Sequence, residues 1–178
     1  DPFGTDLHGI SLQVRAGEVV GIAGVSGNGQ GELLCALSGE DRRAAPGSVQ
    51  LAGVDLSQAS PGLRRKHGLH FVPEERLGRG AVPTLGLAHN VLLTRHDAVG
   101  PLGWLRLGVL RAQADEIIAR YKIKAGGPDA VARSLSGGNL QKFIVGREID
   151  CNPRVLIVSQ PTWGAGVGAA ARIRAELL

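Results

Sequence analysis

A strand that runs directly into a glycine-rich loop and then into a helix constrains the fold of this chain more than any other feature. Residues 19–24 are apolar on both alternating faces, as expected for a strand buried inside a parallel sheet. A glycine-rich loop follows at 24–29, and a helix is predicted to begin at 32–37. A strand, a glycine loop and a helix in this order are typical of an α/β protein whose loop binds phosphate.

The loop itself has the glycine spacing of a phosphate site, because glycines let backbone N–H groups converge on phosphate oxygens. The candidate phosphate-binding residues are Ser26, Gly27, Asn28, Gly29, Gln30 and Gly31. Spacing alone is weak evidence, since a chain with 27 glycines among 178 residues contains such a glycine pair about four times by chance. A tight turn that binds nothing is therefore the alternative interpretation of this loop.

Two positions of the loop depart from a working phosphate site. Gln30 and Gly31 stand where a lysine and then a serine or threonine would clamp the phosphate and ligate Mg²⁺. The charge-assisted hydrogen bond that the lysine would make is worth roughly 1.5 to 3 kcal/mol. Its loss predicts nucleotide binding that is weakened about tenfold to a hundredfold.

Further strands are predicted from short patterns along the chain. Residues 10–15 and 47–52 alternate apolar and polar side chains, which favours half-exposed antiparallel strands. A short strand at 70–72 ends at a proline, and the apolar run at 155–158 predicts another buried strand.

Helices are predicted mainly in the second half of the chain. One amphipathic helix has an apolar stripe formed by Leu110, Ala114, Ile117, Ile118 and Tyr121. Another helix is predicted over 136–150, and composition favours a third over 169–178.

The start of the helix at 136 carries the strongest chemical signal in the sequence. Ser136, Gly137, Gly138 and Asn139 place a hydroxyl, exposed N–H groups and the positive end of a helix dipole together, which favours an anion. The hydroxyl of Ser136 is also a good N-cap. A capped helix with a flexible entry is the alternative.

This segment resembles the LSGGQ-type signature of ABC ATPases, in a form similar to importers of simple sugars and nucleosides, and it reads Leu135-Ser136-Gly137-Gly138-Asn139-Leu140-Gln141. Other family segments follow in order, since 152–162 resembles the Walker B strand and 71–76 resembles the Q-loop. The resemblance covers essentially the whole chain. It implies an α/β P-loop NTPase core of mainly parallel sheet, with an antiparallel β subdomain and a helical subdomain at about 80–150, in one domain over 1–178. It also implies that the chain stops before the family's switch histidine.

The resemblance assigns positions to further residues, several of which depart from the family. Ser159 stands at the Walker B aspartate, Gln160 at the general base, Glu74 at the Q-loop glutamine and Gly166 at the D-loop aspartate. Gln160 can orient a water but cannot accept its proton, so no catalytic residue is assigned. Phe3 stands where the family places an adenine-stacking aromatic. No metal site of the protein's own is predicted.

Paired ABC ATPase halves build each site from one half's phosphate loop and the other half's signature. The resemblance therefore implies that this chain lends its signature to a partner ATPase domain, in the same polypeptide or a homologue, whereas its own loop binds ATP and Mg²⁺ weakly. The full assembly would hydrolyse ATP to drive transport, and this half alone would be inactive or very weak.

The resemblance also implies a membrane permease as partner, contacted at the cytoplasmic face of the membrane by the helical subdomain. Trp104 and its neighbours Leu102, Leu105 and Leu107 are the candidate contacts, and subdomain core is the alternative for them. The sequence has no apolar run of about 20 residues that would cross a bilayer by itself.

Composition limits the other classes of function. The net charge of +4 is spread without a polybasic run, and aromatics are only 3% of residues, so no nucleic-acid partner is expected. Two alternatives stay open: a soluble ABC ATPase that acts on nucleic acid, and a purely structural pseudo-ATPase module.

Overall fold

The computed structural model of the protein describes residues 4–25, 27–95 and 103–160. These residues group into two compact units, one within Asp1–His70 and the other within Phe71–Leu178. No helix in these ranges is both long and apolar enough to cross a membrane.

The first unit combines two short helices with a hairpin. It contains α1 (Gln30–Ser38), β1 (Gln50–Leu51), β2 (Val54–Asp55) and α2 (Pro61–Lys66). β1 and β2 pair antiparallel through a two-residue turn, where Ala52 and Gly53 have φ of 48° and 80°. Positive φ at both central residues is what type I′ hairpin turns require. The antiparallel piece predicted at 47–52 is therefore confirmed as one strand of a hairpin.

The N-terminal segment differs from its prediction. Residues 10–15 and 19–24 form no strand in the structure, and Val19 and Ile22 are 70% and 52% exposed. A strand needs a hydrogen-bonded neighbour, and among the residues that the structure describes no strand pairs with this segment. The prediction of a strand buried on both faces is therefore wrong for 19–24.

The second unit is built from helices beside a two-stranded parallel sheet. It contains the second half of β3 (Leu69–Val72), which begins in the first unit, and then α3 (Leu87–Leu92), α4 (Leu107–Arg120), α5 (Gly137–Ile149) and β4 (Val155–Val158), with a 3₁₀ turn at Ala132–Ser134 before α5. β3 and β4 are hydrogen-bonded neighbours. The strands predicted at 70–72 and 155–158 are confirmed, although β4 is half-buried and not fully buried. The helix predicted over 169–178 lies outside the described residues.

The predicted stripe of α4 forms the middle of the core of this unit. Leu110, Ala114 and Ile117 are fully buried, and Tyr121 is almost so, which confirms the 3.6-residue period read from the sequence. They pack in one cluster with residues of α3, α5 and β3, namely Val72, Leu87, Val91, Phe143 and Ile144. The helical layer thereby fixes the position of α5, whose first turn carries the signature-like segment.

A buried polar network joins α5 to the turn that follows β3. Arg147 donates from Nη1 to the carbonyl of Asn90 (3.0 Å) and from Nη2 to the carbonyl of Gly80 (2.9 Å). The same guanidinium pairs with the Glu148 carboxylate at 2.9 Å, and both side chains are almost completely buried. Since buried charges must be paired and hydrogen-bonded, these bonds make the 76–82 turn and α5 one structural block.

Candidate functional site

The glycine loop enters α1 through residues in left-handed backbone conformations. Gly27 and Gly29 have φ of 91° and 93°, and Gly29 is the N-cap residue of α1. A β carbon on Gly29 would also lie 3.2 Å from Leu7. The left-handed backbone therefore favours glycine at 29, and a larger residue would also require the Leu7 side chain to shift by a few tenths of an ångström. Ser26, the remaining loop candidate, lies outside the described residues.

Gln30 places its side chain back over the loop. Its Nε2 donates to the carbonyl oxygen of Val25 at 3.0 Å, and a β carbon on Gly24 would collide with the same amide. Gln30 is the first residue of α1, and Asn28, on the exposed turn before it, donates its N–H to Val25 as well (3.3 Å). The position that would hold a phosphate-clamping cation thus holds a neutral donor, so the loop offers N–H groups and a helix dipole but no added charge.

Thr5 contacts the loop in a way that the sequence did not predict. Its hydroxyl donates to the carbonyl of Gly27 (3.2 Å), and its backbone N–H donates to Oε1 of Glu32 in the first turn of α1 (3.1 Å). The Thr5 N–H, followed by the N–H of Glu32 itself, lowers the pKa of Glu32. No local pattern signals a partner 22 residues away, so only the structure reveals Thr5 as support for this loop.

The far end of α1 is held by a buried arginine. Arg64 donates from Nη1 to the carbonyls of Ala36 (2.6 Å) and Leu37 (2.7 Å), and its other donors reach Ser57 and Ala59. Burial lowers the pKa of Arg64, but a guanidinium remains charged in a protein. A cation beside the last carbonyls of a helix opposes the negative end of its dipole, so Arg64 stabilises the helix that carries the phosphate loop.

The residues present do not suit Mg²⁺, which takes oxygen ligands in a strict octahedron. Gly31, at the position of the Mg²⁺-binding hydroxyl, has open space where a side chain would be. Ser159 and Gln160, which by resemblance stand at the Walker B aspartate and the general base, carry no carboxylate. Within residues 4–25, 27–95 and 103–160, no three His, Cys, Asp or Glu side chains group as a metal site.

The ends of β3 and β4 bring three of the predicted positions to one edge of the sheet. The N–H of Ser159 donates to the carbonyl of Val72 at 2.9 Å, so both strands end side by side. Glu74 follows β3 as an exposed residue, and Gln160 follows β4, exposed and with φ of 45°. Ser159 itself is 8% exposed. Of the described residues that follow β4, Ser159 and Gln160, neither carries a carboxylate that could act as a base.

The signature-like segment forms an exposed helix tip. Ser136 and Gly137 are exposed, Gly138 and Asn139 are half-buried, and α5 begins at Gly137. The first N–H groups of a helix have no partner within it, so Gly137 and Gly138 present donors at this tip. Ser136 is the N-cap residue of α5, as predicted, but its hydroxyl makes no capping bond to the first N–H groups of the helix.

The Ser136 hydroxyl accepts a hydrogen bond from the side chain of Asn139 instead. The Nδ2 of Asn139 donates to Ser136 Oγ at 2.9 Å, and the Oδ1 of Asn139 accepts the backbone N–H of Lys124 at 3.0 Å. The contact of Lys124 with this tip was not predicted, because nothing in the sequence links Lys124 to a residue 15 positions later. The tip is thus a small polar cluster of Ser136 and Asn139, and a hydrogen bond from Lys124, in the loop after α4, holds it in place.

The apolar residues around the start of α4 are exposed. Trp104 is 77% exposed, and Leu105 and Leu107 are 43% and 44% exposed, so the alternative that they form subdomain core is wrong. Leu102 lies outside the described residues, as do Phe3 and Gly166.

Comparison with known proteins supports the family resemblance. Residues 7–163 match the family described as ABC transporter. The chain is 43% identical to the glucose import ATP-binding protein TsgD13 of Haloferax volcanii, over 97% of this chain and 32% of that protein. It is 40% identical to the nucleoside import ATP-binding protein NupA of Lactococcus lactis, over 97% of this chain and 34% of that protein. The chain therefore spans about a third of the length of these relatives.

Solved structures confirm the predicted fold class. The ATP-binding cassette MJ0796, in a dimeric post-hydrolysis state with ADP and Pi, superposes with a TM-score of 0.72 at 22% identity, covering 93% of this chain and 70% of that one. The cassette MJ1267 superposes with a TM-score of 0.71 at 20% identity, covering 95% and 68%. At these identities the likeness establishes the fold, an α/β P-loop NTPase cassette.

Proposed function

Because this chain belongs to the ABC transporter family, we propose that it is an ATP-binding domain of an importer for simple sugars or nucleosides. It donates its signature segment to the catalytic ATP site of a partner ABC domain. Its own phosphate loop binds ATP weakly or holds it without turnover. The assembly docks on a membrane permease at the cytoplasmic face of the membrane.

The exposed helix tip at Ser136 is the observation that carries this proposal. A tip that served only to start α5 would use the serine hydroxyl as a cap, and here the hydroxyl makes no capping bond. Exposed serine, glycine N–H groups and the dipole of a 13-residue helix together suit the triphosphate of a nucleotide held by another domain.

The glycine loop supports the asymmetric part of the proposal. Gln30 supplies a neutral donor in place of a lysine, and Gly31 supplies no ligand for Mg²⁺. The two residues that follow β4, Ser159 and Gln160, carry no carboxylate. Phosphoryl transfer depends on positioning and on stabilisation of charge, so the loss of all these groups removes most of the rate at this site.

The apolar surface around the start of α4 supports a permease contact. Trp104, Leu105 and Leu107 are exposed together, and Val109 extends the surface at 42% exposure. Apolar side chains that are exposed side by side mark a surface that binds another protein or a membrane. Cysteine at 104 should therefore cross-link to the permease in membranes from cells that express the full transporter, whereas cysteine at the exposed Lys122 should not.

The test of the central claim compares two serines in the full-length protein assembled with its partner domain and permease. Ser136→Ala should lower the ATPase rate roughly a hundredfold, the usual cost of one donor to a transition-state anion. Ser134 is also exposed and lies two residues earlier, and within the described part of the chain its hydroxyl bonds only to the Val131 carbonyl (2.6 Å). Ser134→Ala is thus the matched control and should leave the rate unchanged.

A third variant separates the two sites. Gln30→Ala alters only this chain's own loop, so it should change the ATPase rate far less than Ser136→Ala does. If neither variant changes the rate, the chain is a structural pseudo-ATPase module and the proposal is wrong. Binding to DNA or RNA that falls steeply with salt would instead favour the nucleic-acid alternative.

A further inference from the structure

The side chain of Asn139 links two parts of the signature tip. Its amide nitrogen contacts Ser136 Oγ (2.9 Å), and its amide oxygen contacts the N–H of Lys124 (3.0 Å). Asn139 is three residues after Ser136 on the same turn of α5, whereas Lys124 belongs to the loop after α4. The Asn139 side chain therefore connects the exposed Ser136 hydroxyl to the backbone of Lys124, which lies outside α5.

The direction of each bond follows from the chemistry of the groups. A backbone N–H only donates, so the atom of Asn139 that faces Lys124 must be the oxygen. The NH₂ group must then face Ser136, and Ser136 Oγ must accept its hydrogen. An asparagine amide is not free to flip here, because flipping would place a donor against a donor at Lys124.

This bond leaves the hydroxyl hydrogen of Ser136 uncommitted. A serine hydroxyl has one hydrogen to donate and two lone pairs to accept, and Asn139 uses a lone pair. Within the described ranges Ser136 Oγ donates to no acceptor, and its side chain makes no bond to the first N–H groups of α5. The hydrogen is therefore available to a group that approaches from outside.

We propose that Asn139 is a positioning residue, which holds the Ser136 hydroxyl as a hydrogen-bond donor for the phosphate chain of a nucleoside triphosphate bound by the partner domain. This inference rests on the proposed function of the tip. Phosphate oxygens only accept hydrogen bonds, so a serine that donates is useful to them and a serine that is turned to donate elsewhere is not.

Asn139→Asp tests the direction of the bond with almost no change of shape. One carboxylate oxygen still accepts from Lys124, but the other can only accept, so Ser136 must turn its hydrogen toward residue 139. In the full-length protein with its partner domain, the ATPase rate should fall at least tenfold. Asn139→Leu removes both bonds without adding a charge and should lower the rate about fivefold to tenfold, as the loss of one oriented hydrogen bond does.

A double-variant cycle with Ser136→Ala provides a readout that a merely structural role would not change. If Asn139 acts through the hydroxyl, Asn139→Leu should have almost no further effect on the rate once Ser136 is alanine. An equal loss in both backgrounds would overturn the inference, because Asn139 would then act only by tethering Lys124. The thermal midpoints of all variants should stay close to that of the parent protein.

The cycle also separates the two proposals. If Ser136→Ala lowers the rate but Asn139→Leu and Asn139→Asp do not, the proposed function stands and the role of Asn139 is wrong. If Ser136→Ala itself has no effect, both fail. ATP-dependent association of the two domains, measured by analytical ultracentrifugation with ATP, should follow the same pattern as the rate.

Discussion

Gly146 in α5 lies against the ring of Tyr121 at the end of α4, and a β carbon on Gly146 would come within 2.5 Å of two ring carbons. The two helices approach this closely only because position 146 has no side chain. Since α5 begins at the signature tip, the contact also fixes the tip relative to the loop that contains Lys124. Gly146 is thus required by packing, although glycine disfavours a helix.

Gly146→Ala should destabilise the protein by about 1–3 kcal/mol, because overpacking outweighs the better helix propensity of alanine. Urea unfolding followed by circular dichroism measures the change. Gly108→Ala is the matched control, since Gly108 is also in a helix but has nothing within 4 Å of its missing β carbon. Equal effects at the two positions would contradict the packing argument.

Arg147 should be the most sensitive charged residue of the second unit. Arg147→Met leaves the Glu148 carboxylate buried beside an apolar side chain, and breaking a buried pair in this way costs about 3–5 kcal/mol. Denaturant unfolding provides the measurement. Arg111→Met is the control, because the pair of Arg111 with Asp129 is more than half exposed, and it should change stability by less than about 0.5 kcal/mol. A mild effect at Arg147 would show that the pair does not organise this unit.

The sequence predicted those parts of the fold that depend on local periodicity. The stripe from Leu110 to Tyr121 buries as its 3.6-residue spacing requires, and α5 begins next to Ser136 as predicted. The apolar run at 19–24 shows the limit of such patterns. Periodicity identifies residues that favour burial, but it does not supply the neighbouring strand whose hydrogen bonds make a strand possible.

The candidate site was predictable in its residue types and less so in its contacts. The replacement of lysine by Gln30 is visible in the sequence, whereas the bond from its amide to Val25 is not. The links from Thr5 to Gly27 and from Lys124 to Asn139 join residues distant in the chain, so only tertiary packing creates them. The Ser136 hydroxyl accepts from Asn139 and keeps its hydrogen uncommitted, which could not be read from the preference of serine for N-cap positions.

The carboxyl of Asp41 should titrate well below the usual range. The Arg43 guanidinium, and then the Arg43 N–H, lower the pKa of Asp41 from 3.8 to about 2. The unfolded chain therefore takes up this proton at a higher pH than the folded protein does. The stabilisation from this group is complete above pH 3.8 and is lost as the pH falls through about 2.

Carbon-detected NMR of the Asp41 carboxyl across this pH range measures the midpoint directly. Arg43→Gln should raise the pKa of Asp41 toward its ordinary value, because it removes the guanidinium and its bonds of 2.6–3.0 Å. Arg42→Gln removes an adjacent exposed cation that makes no bond to Asp41 and should leave the midpoint in place. A midpoint near 3.8 in the parent protein would contradict the contact.

Gln30→Lys should restore part of the nucleotide affinity of this chain's own loop. The Gln30 amide already lies over the loop, 3.0 Å from the Val25 carbonyl, so a lysine ammonium could occupy nearly the same place and add a full charge. One charge-assisted bond is worth roughly 1.5 to 3 kcal/mol, which corresponds to about a tenfold to hundredfold gain in affinity for labelled ATP. Gln30→Met keeps a side chain of about the same length without a donor and should produce no gain.

Hydrolysis should stay low even in Gln30→Lys, because the end of β4 still lacks a carboxylate to accept a proton from the attacking water. Tighter binding without turnover would therefore separate the two deficits of this site, whereas equal affinity in the lysine and methionine variants would show that the loop does not hold phosphate at all.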